Sequence, residues 1–289
     1  MPLSAHILGA TSRPFRHTLE ARRLMAYAAG VDYANPRCFD TTGALRAHPL
    51  FPVCLEWDPI LEVRHGPGTE HMTPAEQARA VHGEHDLHLH RPLLPGLELT
   101  TVATAIAVAA RPPGATLIKR IDTVDAQNRL VCRTYQSTLY RGVRLEGPAG
   151  ALDTVPAWPA MLGDPARYLP LSIPRGAAHV YTECAQIWNP IHTDIAHARA
   201  AGLPDIILHG TATLARAVSL LLDRCLDGAP ERATRIGCRF SGMVRMPAAL
   251  VVRIDGIRAA LITFSVLDGL GAEVVSRGFI ETVPAEERP

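Results

Sequence analysis

The alternation of apolar and polar positions divides the chain into two halves that run through similar elements in the same order. Near the start, "LEARRLMAYAAG" (residues 19–30) places Leu24, Tyr27 and Ala28 on one side. That spacing predicts a short amphipathic helix, with Thr18 as N-cap and Gly30 as C-cap. In the second half "HGTATLARAVSLLLDRCLDG" (209–228) is apolar apart from a narrow stripe of Arg216, Ser219 and Asp223. A helix with so little polar surface is expected to be buried, and Gly228 suits its end. Later in each half come the β-branched, partly alternating runs "ATLIKRIDTVD", "RLVCRTYQSTLYRGV", "LVVRIDG", "ALITFSVLD" and "EVVSRGFIETV", which predict strands. Antiparallel strands following one buried helix predict an α+β fold, a curved sheet wrapped round a helix, built twice.

Between the halves, residues 142–176 are dense in Pro and Gly and keep neither period, as a connection does. The expected organisation is a domain over 1–145, a linker over 146–175 and a second domain over 176–289. A weak repeat supports the duplication. "YAAGVDYANP" in the first half answers "YTECAQIWNP" in the second, with Tyr27 and Tyr181, and Asn35 and Asn189, each 154 positions apart (181 − 27, 189 − 35). At that offset His192 faces Cys38, so the first half lacks the histidine.

Composition narrows the function. The chain has 289 residues, 47% of them hydrophobic, and a net charge of +1. A sizeable core is within reach, and no long-range field is present to gather nucleic acid or an anionic membrane. The longest apolar run, "TTVATAIAVAA" (100–110), is far too short to span a bilayer. Six scattered cysteines without a CxxC pair read as reduced thiols of a cytoplasmic protein, and the N-terminal residues have no signal-peptide pattern.

The segment from Asn189 to Gly210 carries the chemistry. Proline after Asn189 ends the preceding helix and leaves His192 on an irregular stretch. Gly210 opens the buried helix, where an amide without an intrahelical partner stands at the positive end of the dipole. A proton carrier and an oxyanion donor are what chemistry beside a thioester carbonyl needs. "HGEHDLHLHR" (82–91) holds four histidines. On a flat strand His88 and His90 share a face with Glu84 and Asp86 while His85 lies on the other, so no metal site is expected. Arg235, Arg239 and Arg245 flank one strand and are candidate phosphate donors.

The same residues carry a family resemblance. "WNPIHTDIAHARAAGLPDIILHGTATLA" resembles the signature of the MaoC-like, hydratase 2 group of (R)-specific enoyl-thioester hydratases and dehydratases. Asn189, Pro190, Ile191, His192, Asp194, Ala201, Gly202, Leu208, His209 and Gly210 match its pattern. "HGEHDLHLHRPLLPG" (82–96) resembles the corresponding strand of the degenerate first domain in two-domain members. The resemblance implies a double hot-dog fold, an acyl-thioester substrate and hydro-lyase activity. It needs no cofactor beyond the coenzyme A or phosphopantetheine of the substrate, and it brings the expectation of a homodimer. It implies His192 as acid/base, Gly210 as oxyanion donor and Asn189 in a bracing role. Ile187, Trp188, Asp194, His209 and Arg239 are expected against the substrate. The family's catalytic Asp falls on Ile187, which carries no proton. Three readings follow: hydration or dehydration of an enoyl or 3-hydroxyacyl thioester; isomerisation or cyclisation of a polyketide-like or acyl substrate by His192 alone; and a decayed binding subunit.

Overall fold

The computed structural model describes residues 2–164 and 167–284. The first half contains β1 (Leu3–Ser4), β2 (Phe15–Thr18), α1 (Ala21–Gly30), α2 (Val53–Arg64), α3 (Pro74–Gln77), β3 (Ala80–Leu89), β4 (Glu98–Arg111), β5 (Gly114–Asp125), β6 (Leu130–Arg141), β7 (Leu145–Glu146) and β8 (Gly150–Ala151). The second contains β9 (Arg167–Ile173), α4 (Ala177–Ala185), α5 (Ile195–Ala200), α6 (Gly210–Cys225), β10 (Ala233–Phe240), β11 (Ala248–Arg258), β12 (Leu261–Leu267) and β13 (Glu273–Thr282). Ten strands run in the order β2-β4-β5-β6-β3-β10-β13-β12-β11-β9, with β8 added against β4, and make one 11-stranded sheet. The expected α+β class, two sheet-and-helix units, is therefore what the chain adopts. Among the described residues no helix is long and apolar enough to cross a membrane.

The two half-sheets join where β3 and β10 pair antiparallel, with Leu87 opposite Ile236 and His85 opposite Cys238. Two observations show that the halves are related copies. Tyr27 and Tyr181, matched by the sequence repeat, meet with ring centroids 6.0 Å apart. Asn35-Pro36 and Asn189-Pro190 each open a one-turn 3-10 helix, ending at Cys38 and His192 respectively. One core spans both copies, running from Leu24, Tyr27 and Phe51 through Leu87 to Tyr181, Leu214, Val218 and Phe264.

Several expectations change on contact with the structure. Glu20, not Thr18, is the N-cap of α1, and no side chain caps it. Gly30 is the last residue of α1 rather than its cap. Its role is close approach: a Cβ there would lie 2.6 Å from Cys184 Cβ on α4. The polar stripe of α6 faces the first half. Ser219 Oγ accepts from His48 Nε2 at 3.2 Å, Asp223 accepts from Asn35 at 3.4 Å, and Arg216 pairs with Asp32 at 3.4 Å. The stretch expected as a linker over 146–175 is partly sheet, because residues 167–173 form β9 and pair with β11 at the sheet edge.

The seam is also tied by charge. Arg235 on β10 donates two hydrogen bonds of 2.8 Å to the Asp86 carboxylate on β3, and both residues are buried. Burial pushes the Asp86 carboxyl up, but hydrogen bonds from Arg235 and His88 outweigh it and hold the group below its ordinary range. Removing one member of such a pair strands the other charge. Asp86→Ala is therefore expected to cost about 3 kcal/mol or more in urea denaturation; a change within 0.5 kcal/mol would show that the seam does not depend on the pair.

Candidate active site

The preceding helix, α4, ends at Gln186 in a left-handed conformation, and the chain then enters the Asn189-Pro190 turn. Ile187 N–H bonds back to the Thr182 carbonyl at 3.2 Å. The turn delivers His192 to a buried position. Its Nδ1 donates to the Ile207 carbonyl at 2.7 Å. That bond fixes the tautomer and leaves Nε2 as the unprotonated nitrogen. Burial lowers the His192 pKa to about 4, against the smaller opposing effect of the Ile207 bond. The ring is neutral at pH 7.

His209 stacks on His192 with centroids 3.6 Å apart and planes 26° from parallel. Its Nε2 lies 3.4 Å from both the Ile187 carbonyl and Thr182 Oγ1. Burial, then the neighbouring His192, push its pKa well down. A proton on either ring is thus opposed twice, by lost solvation and by its neighbour.

His209 is the N-cap residue of α6 and makes no side-chain cap; the Ala212 and Thr213 amides bond to its carbonyl, and the Gly210 amide ahead of them stands at the uncapped helix start. Glycine is also required by space: a Cβ at 210 would lie 2.9 Å from the Phe240 ring. His192, Gly210 and Asn189 line a single cleft of about 510 Å³. Ala80, Val81, His82 and Arg141 of the first half supply its opposite side, and Phe240, Met243 and Val275 complete it. The three residues expected to be catalytic are therefore together. Asn189 makes no cap bond with its side chain, whereas its counterpart Asn35 accepts from Arg37 N–H and donates to the Gly228 carbonyl.

The expected substrate contacts fare differently. None of Ile187, Trp188, Asp194, His209 or Arg239 is among the residues lining the cleft. Ile187 is part of the core and Trp188 is exposed. Asp194 caps α5, accepting from Ala196 N–H at 2.8 Å and His197 N–H at 3.1 Å. His209 supports His192 from behind. Arg239 is held by Glu84 at 2.7 Å, and Arg235 is committed to Asp86. Sequence reasoning missed three groups. Arg79 and Arg141 stand together at the mouth with Ile191 and Met243, and neither has an ion-pair partner among the described residues. His82 is the third. A bulge between His82 and Glu84 in the β3–β6 register moves it off the face that strict alternation assigns. It lies beside His85, ring centroids 5.4 Å apart. Among the described residues no three His, Cys, Asp or Glu side chains gather as metal ligands would.

In the first half the equivalent turn ends on Cys38, which is buried and whose thiol burial pushes up to about 12. Such a thiol is inert.

Comparison with known proteins agrees with this geometry. Residues 163–260 match the MaoC like domain, and residues 6–134 match the FAS1-like dehydratase domain region. A 207-residue stretch, 70% of this chain and 34% of the relative, is 28% identical to peroxisomal multifunctional enzyme type 2 of Drosophila melanogaster. A 99-residue stretch is 35% identical to enoyl-CoA hydratase ChsH3 of Mycobacterium tuberculosis, covering 34% of each. The aligned part thus spans about a third of each of these curated relatives. A MaoC-like dehydratase from Phytophthora capsici superimposes with a TM-score of 0.82 over 97% of both chains at 22% identity. A Mycobacterium tuberculosis protein described as a double hotdog fold gives 0.62 over 95% of both at 16%. The chain thus carries a FAS1-like dehydratase region in its first half and a MaoC-like domain in its second, on a double hot-dog frame.

Proposed function

We propose that the protein adds water to, or removes it from, the α,β double bond of an acyl thioester. One observation carries this reading: a neutral His192, its tautomer fixed by Ile207, lines the same cleft as Gly210 at the uncapped start of α6. In the hydration direction, His192 Nε2 takes a proton from water as its oxygen bonds to Cβ. The double-bond electrons move to the thioester oxygen, where the Gly210 N–H stabilises the enolate charge. The same imidazole then returns the proton to Cα as the carbonyl re-forms, so water is consumed and nothing else is required. Asn189, free of capping duty, holds the water in place of the family's carboxylate. Arg79 and Arg141 at the mouth are the local cations for phosphates of coenzyme A or a carrier arm.

A second reading rests on a different observation. No Asp or Glu is among the residues lining the cleft. A site with one proton carrier suits double-bond isomerisation, in which His192 removes a proton from one carbon and returns it to another. Incubation with crotonyl-CoA separates the two: hydration adds the mass of water and removes the enone absorbance, whereas a mass-neutral change in longer enoyl-CoAs indicates isomerisation.

His192→Ala is expected to lower kcat/KM for the preferred enoyl-CoA by about 10³-fold, within the range of a positioned acid or base; a variant within threefold of the parent places the chemistry elsewhere. The pH profile gives a separate check. With its pKa near 4, His192 remains a base well into the acid range. Activity is expected to stay flat from pH 8 to about 5 and to fall below that, with a midpoint near 4. A midpoint near 6.5 would mean an ordinary solvated imidazole. Stability has the matching sign. The unfolded chain protonates His192 at about 6.5 and the folded one only near 4, so stability is lost as pH falls between those values. Finally, Ile187→Asp is expected to raise crotonyl-CoA hydration at a cost of about 1–3 kcal/mol in stability, because the new carboxyl enters a core position. Lower hydration together with lower stability would show that a carboxyl at 187 does not serve the water.

A further inference from the structure

The wall that carries His82 has an unusual interior. Inward positions of the first half-sheet at this level are polar: Gln136 stands opposite His85, Thr138 opposite His82, and Lys119 opposite Gln136. This is the face that α2 covers, since Thr134, on the same side of β6, donates to Glu56 of α2. Lys119 is 1% exposed. Its ammonium donates to Thr138 Oγ1 at 2.7 Å and has no ion-pair partner among the described residues. Burial, then the charge of Arg64 on α2, push its pKa down to about 7.

Its neighbours are equally short of partners. His85 is 1% exposed and neither of its ring nitrogens has a protein partner; Nε2 of His82, Nε of Arg64 and the Tyr140 hydroxyl have none either. The acids on β3 are engaged elsewhere, Glu84 with Arg239 and Asp86 with Arg235. Buried polar groups are ordinarily paired, and a buried cation without an anion is costly. Here the donors concentrate in one place. That place adjoins the cleft without lining it: His82 is among the lining residues while Lys119, Thr138 and His85 are not, and the Lys119 charge acts on the His82 ring.

We propose that Lys119, Thr138 and His85 form the distal subsite of the cleft and receive a carboxylate at the far end of the acyl chain. The substrate class is then the thioester of a dicarboxylic acid rather than a methyl-ended fatty acyl chain. A hydrocarbon end would meet a cation and unpaired imidazoles, which selects against it, while a carboxylate forms charge-assisted hydrogen bonds. The inference rests on the acyl-thioester reading of the site, but not on the hydration step.

Saturated esters test it without any reaction. Titration calorimetry at pH 7 compares adipyl-, suberyl- and sebacyl-CoA with hexanoyl-, octanoyl- and decanoyl-CoA. At one or more lengths the carboxylate-ended ester is expected to bind about tenfold tighter or better, the scale of one charged hydrogen bond. Lys119→Met is expected to bring that ratio within twofold, and Thr138→Val, which keeps the lysine, to reduce it; the second variant decides the matter if the first does not fold. Equal or weaker binding of the carboxylate-ended esters at every length, or a preference that neither variant alters, overturns the subsite. Turnover of crotonyl-CoA and of the trans-2-enoyl ester of the best-bound dicarboxylate, both measured alongside, keeps the two ideas apart. A preference without turnover retains the subsite and removes the hydratase reading. Turnover without a preference does the reverse, and failure of all six esters to bind removes both.

Discussion

The pairing of β3 with β10 is the constraint on which the rest depends. It converts two half-sheets into one, removing two exposed edges that would otherwise be open to aggregation. It also sets the site. Ala80, Val81 and His82 begin the first-half strand of that seam, and Phe240 ends the second-half strand. Because the strands are antiparallel, these ends lie together, beside the start of α6. The cleft is therefore a property of the joint, and neither half encloses it alone. The Asp86–Arg235 pair fixes the register in the middle of the seam. A slip by one residue would exchange the faces of every side chain on β3, turning Glu84 inward and His85 out.

The two copies show what a duplicated site becomes when only one is kept. Both retain the Asn-Pro turn, the tyrosine and a buried histidine beside it: His48 lies 5.6 Å from Tyr27, and His209 lies 4.9 Å from Tyr181. The side chains have different occupations. Asn35 ties the turn to the end of α6 through Gly228, and His48 binds Ser219 on the same helix. The first copy's polar groups have become fasteners for the second copy's helix. Among the described residues, the side chains of Asn189 and His192 make no such structural bonds apart from the one that sets the His192 tautomer. Groups left out of the scaffold's hydrogen bonding are the ones available to a substrate.

Much of this was legible in the sequence, and the failures have physical reasons. The helices 21–30 and 210–225 and the long strands follow from apolar periodicity, because each buries a single face or nearly all of its surface. That His192 and Gly210 share a cleft was legible because Asn-Pro and a helix-opening glycine are local signals. The first half's helix 53–64 was not, since Pro59 interrupts it and its buried residues occupy most of its circumference. Strand 167–173 lay in a proline-rich stretch, tolerated because β9 is an edge strand. The face of His82 could not be read by alternation, which fails across the bulge between His82 and Glu84. Arg239 was misread because an arginine's partner, here Glu84, is 155 positions away.

Ile187 stands where the sequence resemblance expects a carboxylate, and on the proposed reading this has a consequence beyond one missing group. A carboxylate beside His192 would favour the imidazolium and raise its pKa. Ile187 instead joins the core, and among the described residues the charge that acts on His209 is that of the stacked His192. The site is therefore biased toward the neutral base. Such a base accepts a proton readily only when the resulting cation is transient and faces developing negative charge, as it would in the proposed reaction, where an enolate forms near Gly210. In that proposed reaction the ion pair would stabilise itself, because imidazolium and enolate would arise in the same step and vanish in the next. A low pKa in the resting protein is then compatible with proton transfer at neutral pH, because the proposed substrate would supply the counter-charge that residue 187 does not.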